Sequence, residues 1–199
     1  ETVLEVKRLT KKGVFENVSF SLNRGEILGV AGLIGAGRTE VMRAVFGADA
    51  YDSGECFLYG KPYKAKTPKD TIRLGLGLIP EDRRGQGLPL EKNVKENTSL
   101  ASLQANAHHG FIDFNWERRE SVAYIEKLRI KTPSEKALLK NLSGGNQQKV
   151  VIAKWLLAQS KILIMDEPTR GIDVNAKAEI YALMKKFVEN GGSIILVSS

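Results

Sequence analysis

Short apolar runs alternate with amphipathic stretches along the chain, and glycines separate many of them. Val18, Phe20 and Leu22 alternate with polar residues, which predicts a half-buried strand within the first 25 residues. Residues 76–79, 162–165 and 194–197 are continuous apolar runs, and residues 26–31 are apolar after Glu26. Runs of this length predict short buried strands of the kind found in parallel sheets. A further strand is predicted over residues 55–59.

Apolar residues at helical spacing become more frequent after about residue 68. Helices are predicted from about residue 68, over 143–158 and from residue 173, where five apolar residues recur at helical spacing: Ala176, Ile180, Leu183, Met184 and Phe187. Residues 91–141 are more polar and rich in helical patterns, with one helix over 121–129 and a loop over 106–113. This pattern predicts an α/β domain that carries an inserted helical lobe.

Length and composition place the chain among ordinary globular proteins. Its 199 residues are 42% hydrophobic and 27% charged, enough for one domain with a core of its own. The apolar stretch 27–37 contains four glycines and is too short for a bilayer span, which needs about 20 residues. The single cysteine, Cys56, excludes an internal disulfide framework. Because the chain begins at Glu1, we expect it to be a piece of a longer protein.

The net charge of +7 favours anionic partners such as nucleotides, nucleic acid or a lipid surface. The basic residues are scattered, with one denser stretch over 61–73, and scattered charge is typical of a solvated surface. No basic and aromatic binding motif accompanies them. Nucleic acid is therefore not expected as a partner.

A glycine-rich segment lies between the predicted strand 26–31 and an apolar helix. Residues 32–39 fit the phosphate-binding pattern G-x-x-x-x-G-K-[ST], except that Arg38 stands at the lysine position. Glycines let backbone N–H groups converge on an anion, and the following helix adds the positive end of its dipole. Thr39 offers a hydroxyl for Mg²⁺. The alternative interpretation is a glycine-rich turn without a ligand.

Two acidic residues follow the apolar run 162–165. Asp166 and Glu167 stand at the carboxyl end of a predicted parallel strand, where such sheets bind ligands. Asp166 can hold Mg²⁺, and Glu167 can polarise an attacking water. The alternative interpretation is a buried strand that merely ends in polar residues. The glycine loop earlier in the chain favours the functional interpretation over this alternative.

A third motif, L-S-G-G-N-Q-Q, begins at Leu142. Ser143 is suited to cap a helix, and the two glycines leave backbone amides at the helix start accessible to an anion. Together the three motifs resemble those of the ATP-binding-cassette (ABC) ATPases, and the resemblance covers essentially the whole chain. The runs G-A-G-R-T-E, P-E-D-R-R and D-E-P-T-R-G-I-D are most similar to the second cassette of tandem monosaccharide importers of the ribose and galactose type.

The resemblance implies a role for each motif. It implies a nucleotide site at Gly32, Leu33, Ile34, Gly35, Ala36, Gly37, Arg38, Thr39, Glu40 and Glu81. It implies Mg²⁺ on Thr39 and Asp166, with Asp166 and Glu167 as the catalytic pair. It implies a signature that serves the ATP of a partner cassette, formed by Leu142, Ser143, Gly144, Gly145, Asn146 and Gln147. It also implies a D-loop at Asp173 and a switch position at Ser199.

The sequence departs from the family pattern at several of these positions. Arg38 replaces the phosphate-loop lysine, Glu81 stands at the Q-loop glutamine position, and Ser199 stands where a switch histidine usually follows. No Tyr or Trp precedes the glycine loop to stack on adenine, and Phe15 is interpreted as a strand residue. These departures predict a degenerate nucleotide site beside an intact signature.

The resulting prediction is one ABC ATPase domain over residues 1–199, truncated at its C-terminal end, with a helical subdomain over about 91–141. Its fold is a mainly parallel sheet with an N-terminal antiparallel β-layer. The resemblance implies Mg-ATP as ligand, a second cassette and membrane permease subunits as partners, and an indirect partner in a periplasmic or extracellular sugar-binding protein. The expected location is the cytoplasmic face of the cell membrane. A nucleoside importer, a non-catalytic dimerisation module and a soluble ABC ATPase acting on nucleic acid remain alternatives.

Overall fold

A computed structural model describes residues 1–33, 35–108 and 111–198 of the chain. These residues form two compact units. The first contains residues 1–78, 161–167 and 184 onward, and the second contains residues 79–160 and 168–183.

An antiparallel sheet is built from residues 2–63 of the first unit. Its strand order is β2-β1-β4-β5, and its strands are β1 (Thr2–Lys11), β2 (Phe15–Asn23), β4 (Ser53–Leu58) and β5 (Lys61–Tyr63). Val6 of β1 pairs with Phe20 of β2, and Leu4 pairs with Leu22. The predicted alternation in β2 is confirmed. Cys56 is buried in β4, where its apolar surroundings raise the pKa of its thiol to about 11.

A parallel sheet forms the rest of the first unit. Its order is β3-β10-β9-β6, and its strands are β3 (Ile27–Ala31), β6 (Leu76–Ile79), β9 (Ile162–Asp166) and β10 (Ser193–Ser198). β10 pairs in parallel with both β3 and β9. The helices α1 (Arg38–Phe46) and α2 (Pro68–Arg73) belong to the same unit.

One strand of this sheet is less buried than predicted. β9 and β6 are buried along their whole length, as their apolar runs indicate. Ile27 of β3, however, is 43% exposed. Exposed and partly buried residues alternate along β3, so one of its faces is open and a continuous apolar run does not guarantee burial on both faces.

The second unit is mainly helical. Its helices are α3 (Val94–Ser99), α4 (Phe114–Lys127) and α5 (Gly144–Leu157), with a π-helical turn over Arg83–Gly87 and 3₁₀ turns at Gln104–Asn106 and Leu139–Asn141. The predicted loop over 106–113 is wrong in part, because β7 (Ala107–His108) pairs there with β8 (Phe111–Ile112). Strands of two residues are too short to show an alternating pattern.

The last helix, α6 (Val174–Glu189), begins one residue after the predicted start. Ile180 and Met184 of its apolar stripe are buried, whereas Ala176, Leu183 and Phe187 are partly exposed. Among the described residues, no helix combines the length and the apolar character that crossing a lipid bilayer would require.

Candidate functional site

The glycine loop connects β3 to α1, as the sequence predicts. Gly37 precedes the first residue of α1 with φ +78°, a left-handed conformation that favours glycine. A Cβ on Gly37 would lie 2.9 Å from the carbonyl oxygen of Val14. Because Gly37 has no side chain to cap α1, the N–H groups of the first turn are left for an external acceptor.

The loop itself is a turn closed by its own backbone. The N–H of Ala36 donates to the carbonyl of Leu33 over 3.1 Å, and the Leu33 side chain is exposed. Gly35 has φ +82° and open space where a Cβ would be. Glu40 lies in the first turn of α1. Ile34, which the sequence also places in this loop, lies outside the described residues.

Arg38 is engaged with the end of a neighbouring strand. Its Nη1 donates to the backbone carbonyl of Ser198 at 2.6 Å, at the last residue of β10. Its Cδ lies 3.4 Å from the position of a Cβ on Gly32, so the side chain runs along the loop. The guanidinium therefore already has an acceptor here. The adjacent switch position, Ser199, lies outside the described residues.

Thr39 and Asp166 meet at the carboxyl end of β9. The Thr39 hydroxyl donates to Oδ2 of Asp166 at 2.6 Å, although 127 positions separate the two residues. Asp166 is buried, and this burial raises the pKa of its carboxyl above the usual range, against the opposing effect of the Thr39 hydrogen bond. The predicted metal-binding pair is thus adjacent in space.

Glu167 follows directly and has an unusual backbone. Its φ is +44°, and its N–H donates to the carbonyl of Val197 at 3.0 Å. A non-glycine residue in this region carries strain of about 1–3 kcal/mol, and such strain is often found at functional sites. Because of this turn, the backbone leaves the direction of β9 directly after Asp166, the last residue of the strand.

The second unit contains the start of α5, where residues 142–147 form what we call the signature turn. The Ser143 hydroxyl accepts a hydrogen bond from the backbone N–H of Asn146 at 3.5 Å, as expected of a capping residue, and another from Nδ2 of Asn146 at 2.9 Å. Oδ1 of Asn146 accepts from the N–H of Lys131 at 2.8 Å. Gln147 is buried and donates to the carbonyl of Leu139 at 3.1 Å. Leu142 is buried, whereas Ser143 is exposed.

Both glycines of the signature turn are closely packed. A Cβ on Gly145 would lie 2.5 Å from the Cβ of Ala176, and one on Gly144 would lie 2.6 Å from Nη2 of Arg83. Asp173 caps α6, because its Oδ1 accepts from the N–H of Ala176 at 3.0 Å. The signature turn therefore lies against the segment that precedes α6.

Glu81 forms an ion pair in the second unit. Its carboxylate contacts the guanidinium of Arg170, a residue that the sequence analysis did not single out. Arg83 donates through Nη1 to the carbonyl of Arg170 at 2.9 Å. Both contacts join residues nearly 90 positions apart, and no sequence pattern indicates them.

Solved structures of ATP-binding cassettes share the fold of this chain. A nucleotide-free ATP-binding cassette from an ABC transporter aligns with a TM-score of 0.81 at 20% identity, over 100% of this chain and 82% of that one. The dimeric bacterial ABC transporter cassette MJ0796 aligns with a TM-score of 0.82 at 22% identity, over 98% and 87%. The chain therefore has the fold of an ATP-binding cassette, and the predicted fold class is confirmed.

The family follows from the sequence itself. A family model described as ABC transporter matches residues 15–170, and the chain belongs to this family. It is 52% identical over 99% of its length to the ribose import ATP-binding protein RbsA of Bacillus licheniformis. It is also 52% identical, over its whole length, to a putative ribose/galactose/methyl galactoside import ATP-binding protein of Rhizobium etli. The chain spans 40% and 38% of the length of these two relatives.

The Thr39 and Asp166 pair fits a magnesium ion by its chemistry. Mg²⁺ takes oxygen ligands and is commonly held by one or two carboxylates together with waters and substrate phosphates. A hydroxyl and a buried carboxylate provide two such oxygens. Within the described residues no group of three or more His, Cys, Asp or Glu side chains could hold a metal.

We expect Asp166→Asn to raise the melting temperature of the chain without nucleotide by about 2–4 °C, the shift for about 1 kcal/mol in a domain of this size. The folded-state pKa of Asp166 is raised, so its ionised form costs stability, and stability falls as pH rises through that pKa. Asparagine removes the charge and can still accept from Thr39. Scanning calorimetry measures the shift. Asp52→Asn, at an exposed carboxylate, is the matched control, and a lower melting temperature for Asp166→Asn would contradict the interpretation.

Proposed function

We propose that residues 1–199 form one ABC ATPase domain, with a helical subdomain over about 91–141, that binds Mg-ATP and powers the import of a monosaccharide. In this proposal it acts at the cytoplasmic face of the cell membrane with a second cassette and permease subunits, and a sugar-binding protein delivers the substrate to the permease. The relatives' names support a pentose or hexose over a nucleoside.

One observation carries the proposal of a nucleotide site: Thr39 and Asp166 meet at 2.6 Å beside the uncapped start of α1. A hydroxyl, a carboxylate and free backbone N–H groups are the groups that a magnesium-bound phosphate requires. Bound Mg²⁺ would neutralise charge on the phosphates of ATP. Thr39 and Asp166 would hold the ion, residues 32–40 would hold the phosphates, and Glu167 would orient the attacking water.

The same site supports the proposal of weak hydrolysis. Arg38 donates through Nη1 to the Ser198 carbonyl, so part of its guanidinium is engaged with β10 and is not turned to a phosphate. Its planar fork also differs from the compact ammonium usual in this loop. Glu81, at the proposed Q-loop position, pairs with Arg170 and brings a negative charge where the family has a neutral amide.

The signature turn supports a role toward a partner. Its amides and the positive end of the α5 dipole favour an anion, and Ser143 is exposed. We propose that residues 142–147 serve the ATP of the partner cassette, with Asp173 in the D-loop and Ser199 at the switch position. The dimeric MJ0796 cassette shares this fold. The domain would then contribute more to the partner's ATP than to its own.

The alternative functions have less support. The longest helix in the described part of the chain is α6, with 16 residues, whereas an ABC ATPase that acts on nucleic acid is expected to carry long coiled-coil insertions. A purely structural dimerisation module does not require the Thr39–Asp166 pair.

We expect the isolated chain to turn over ATP at least about 100-fold more slowly than a preparation that also contains a first cassette, since removing a single stabilising donor commonly costs 10²–10³-fold. Phosphate release measures the rate, and Glu167→Gln identifies any activity that belongs to the chain. Equal, brisk turnover by the isolated chain, abolished by Glu167→Gln, would show that its own site is catalytically complete.

A further inference from the structure

Arg83 opens the π-helical turn and has a constrained backbone. Asp82, just before it, accepts hydrogen bonds from the N–H groups of Arg84 and Gly85 at 3.2 and 3.0 Å. At the other end of the turn, Nζ of Lys154 in α5 donates to the carbonyl of Gly87 at 2.8 Å. The turn is thus held at both ends, and the direction of the Arg83 side chain is well defined.

The guanidinium of Arg83 lies on the signature turn. Its Nη2 is 2.6 Å from the position of a Cβ on Gly144, so no other residue type fits there without displacing the arginine. Its Nη1 donates to the carbonyl of Arg170, and the carbonyl of Gly171 is 3.4 Å from the same Cβ position. Arg83 therefore fills the space between the start of α5 and the segment before α6.

Arg170 is held at both of its ends by the segment that contains Arg83. Its carbonyl accepts from Arg83, and its guanidinium pairs with the carboxylate of Glu81. Segment 81–83 thus contacts residue 170 at two points, and Arg83 also lies against Gly144. Because Gly145 in turn packs on Ala176, a shift of this segment would act on both the signature turn and the start of α6.

The arrangement costs stability. Nε of Arg83 is buried and has no hydrogen-bond partner among the described residues. Burial and the neighbouring Arg84 lower the pKa of its guanidinium. A cation is also unfavourable at the start of a helix, where the dipole is already positive. A partly buried cation with one unpaired nitrogen gives no net stabilisation that would explain its presence, and an anion brought to the start of α5 would relieve the charge repulsion.

We propose that Arg83 is a positioning residue that fixes the signature turn against residues 170–171, so that the Ser143–Gly145 amides meet the partner's nucleotide in productive geometry. The proposal rests on the function in trans proposed above. Displacement of a catalytic group by about 1 Å can cost on the order of 100-fold in rate. Loss of Arg83 is therefore expected to lower the rate of ATP hydrolysis at the partner's site and to leave the affinity of this chain for ATP unchanged.

The test is Arg83→Met in the full-length protein with both cassettes and the permease, in proteoliposomes. We expect kcat for ATP to fall at least about tenfold, KM to change less than about threefold, and the melting temperature to stay equal or rise, since methionine removes a cation whose buried Nε has no hydrogen-bond partner among the described residues. Arg83→Lys, which keeps a donor for the Arg170 carbonyl, should recover part of the lost kcat. Arg119→Met, at an exposed arginine beside Glu120, is the matched control and should keep the full rate.

Two results would overturn the positioning role. One is a kcat within twofold of the unmodified protein, and the other is a loss of rate that parallels a lower melting temperature. Ser143→Arg, measured in the same preparation, separates this failure from failure of the function in trans. If Ser143→Arg abolishes turnover while Arg83→Met does not, Arg83 alone has been misassigned. If neither variant lowers turnover, the function in trans is wrong as well.

Discussion

Gly37→Asp is expected to weaken Mg-ATP binding by the chain by at least about 100-fold, equivalent to about 2.8 kcal/mol. Gly37 has φ +78°, and its Cβ would approach the Val14 carbonyl to 2.9 Å, so any side chain displaces the loop. The new carboxylate would also stand at the start of α1, where the proposed site receives the phosphates. Isothermal titration calorimetry of the isolated chain measures the loss.

Two further variants make the Gly37 experiment specific. Gly60→Asp introduces the same side chain at φ +73° in open space, in the turn between β4 and β5, and should leave binding unchanged. Gly35→Asp places the charge in the loop at φ +82° without a clash, so it still tests repulsion if Gly37→Asp fails to fold. Equal binding heats for the unmodified chain and both loop variants would rule out this loop as the ATP site.

Ser143→Arg is expected to reduce transport and ATP hydrolysis in the full-length protein to below about 1%, whereas Arg38→Ala keeps roughly a third or more. Ser143 is exposed at the start of α5, so a bulky cation there blocks approach of the partner nucleotide to the closely packed Gly144 and Gly145. Loss of a donor at such a site already costs about 10²–10³-fold. Arg38 is bound to the Ser198 carbonyl and serves a site proposed to be weak.

Ser143→Ala separates the loss of the helix cap from blockage. It removes the hydroxyl that Asn146 contacts, at a cost of about 1 kcal/mol in stability, but adds no bulk. We expect it to keep most of the transport rate. If Arg38→Ala proves more damaging than Ser143→Arg, the role of this signature turn toward a partner is wrong.

The sequence predicts most strands of the first unit because each is a short apolar or alternating segment that can be recognised from its own residues. Residues 76–79 and 162–165 are apolar runs bounded by turns, and both become buried strands of one parallel sheet. The meeting of Thr39 and Asp166 follows from the same logic, since the loop and the carboxylate both follow the carboxyl ends of parallel strands. The exposure of Ile27 depends on which face of β3 is open, and the apolar sequence of the strand does not indicate this.

The contacts around the signature turn show why the remainder was not predictable. The sequence indicates the capping role of Ser143 and the accessible glycines, but not that Arg83 covers Gly144 or that Arg170 pairs with Glu81. Charged side chains in a polar loop suggest contact with solvent alone, and only the packing of segments nearly 90 positions apart reveals these contacts. The functional roles assigned to these residues stay predictions until the variants are measured.

The pairing of β3 with β10 has a consequence for how the protein is made. β3 carries the glycine loop from residue 31 onward, and its described neighbour in the sheet, β10, is the last strand of the chain. During synthesis, β1 and β2 can pair early because a tight turn connects them. β3 must wait on the ribosome until residues 193–198 have emerged. We therefore expect the loop to become ordered only after residues 193–198 have been synthesised, and a nascent chain that stops before them to lack the proposed nucleotide site.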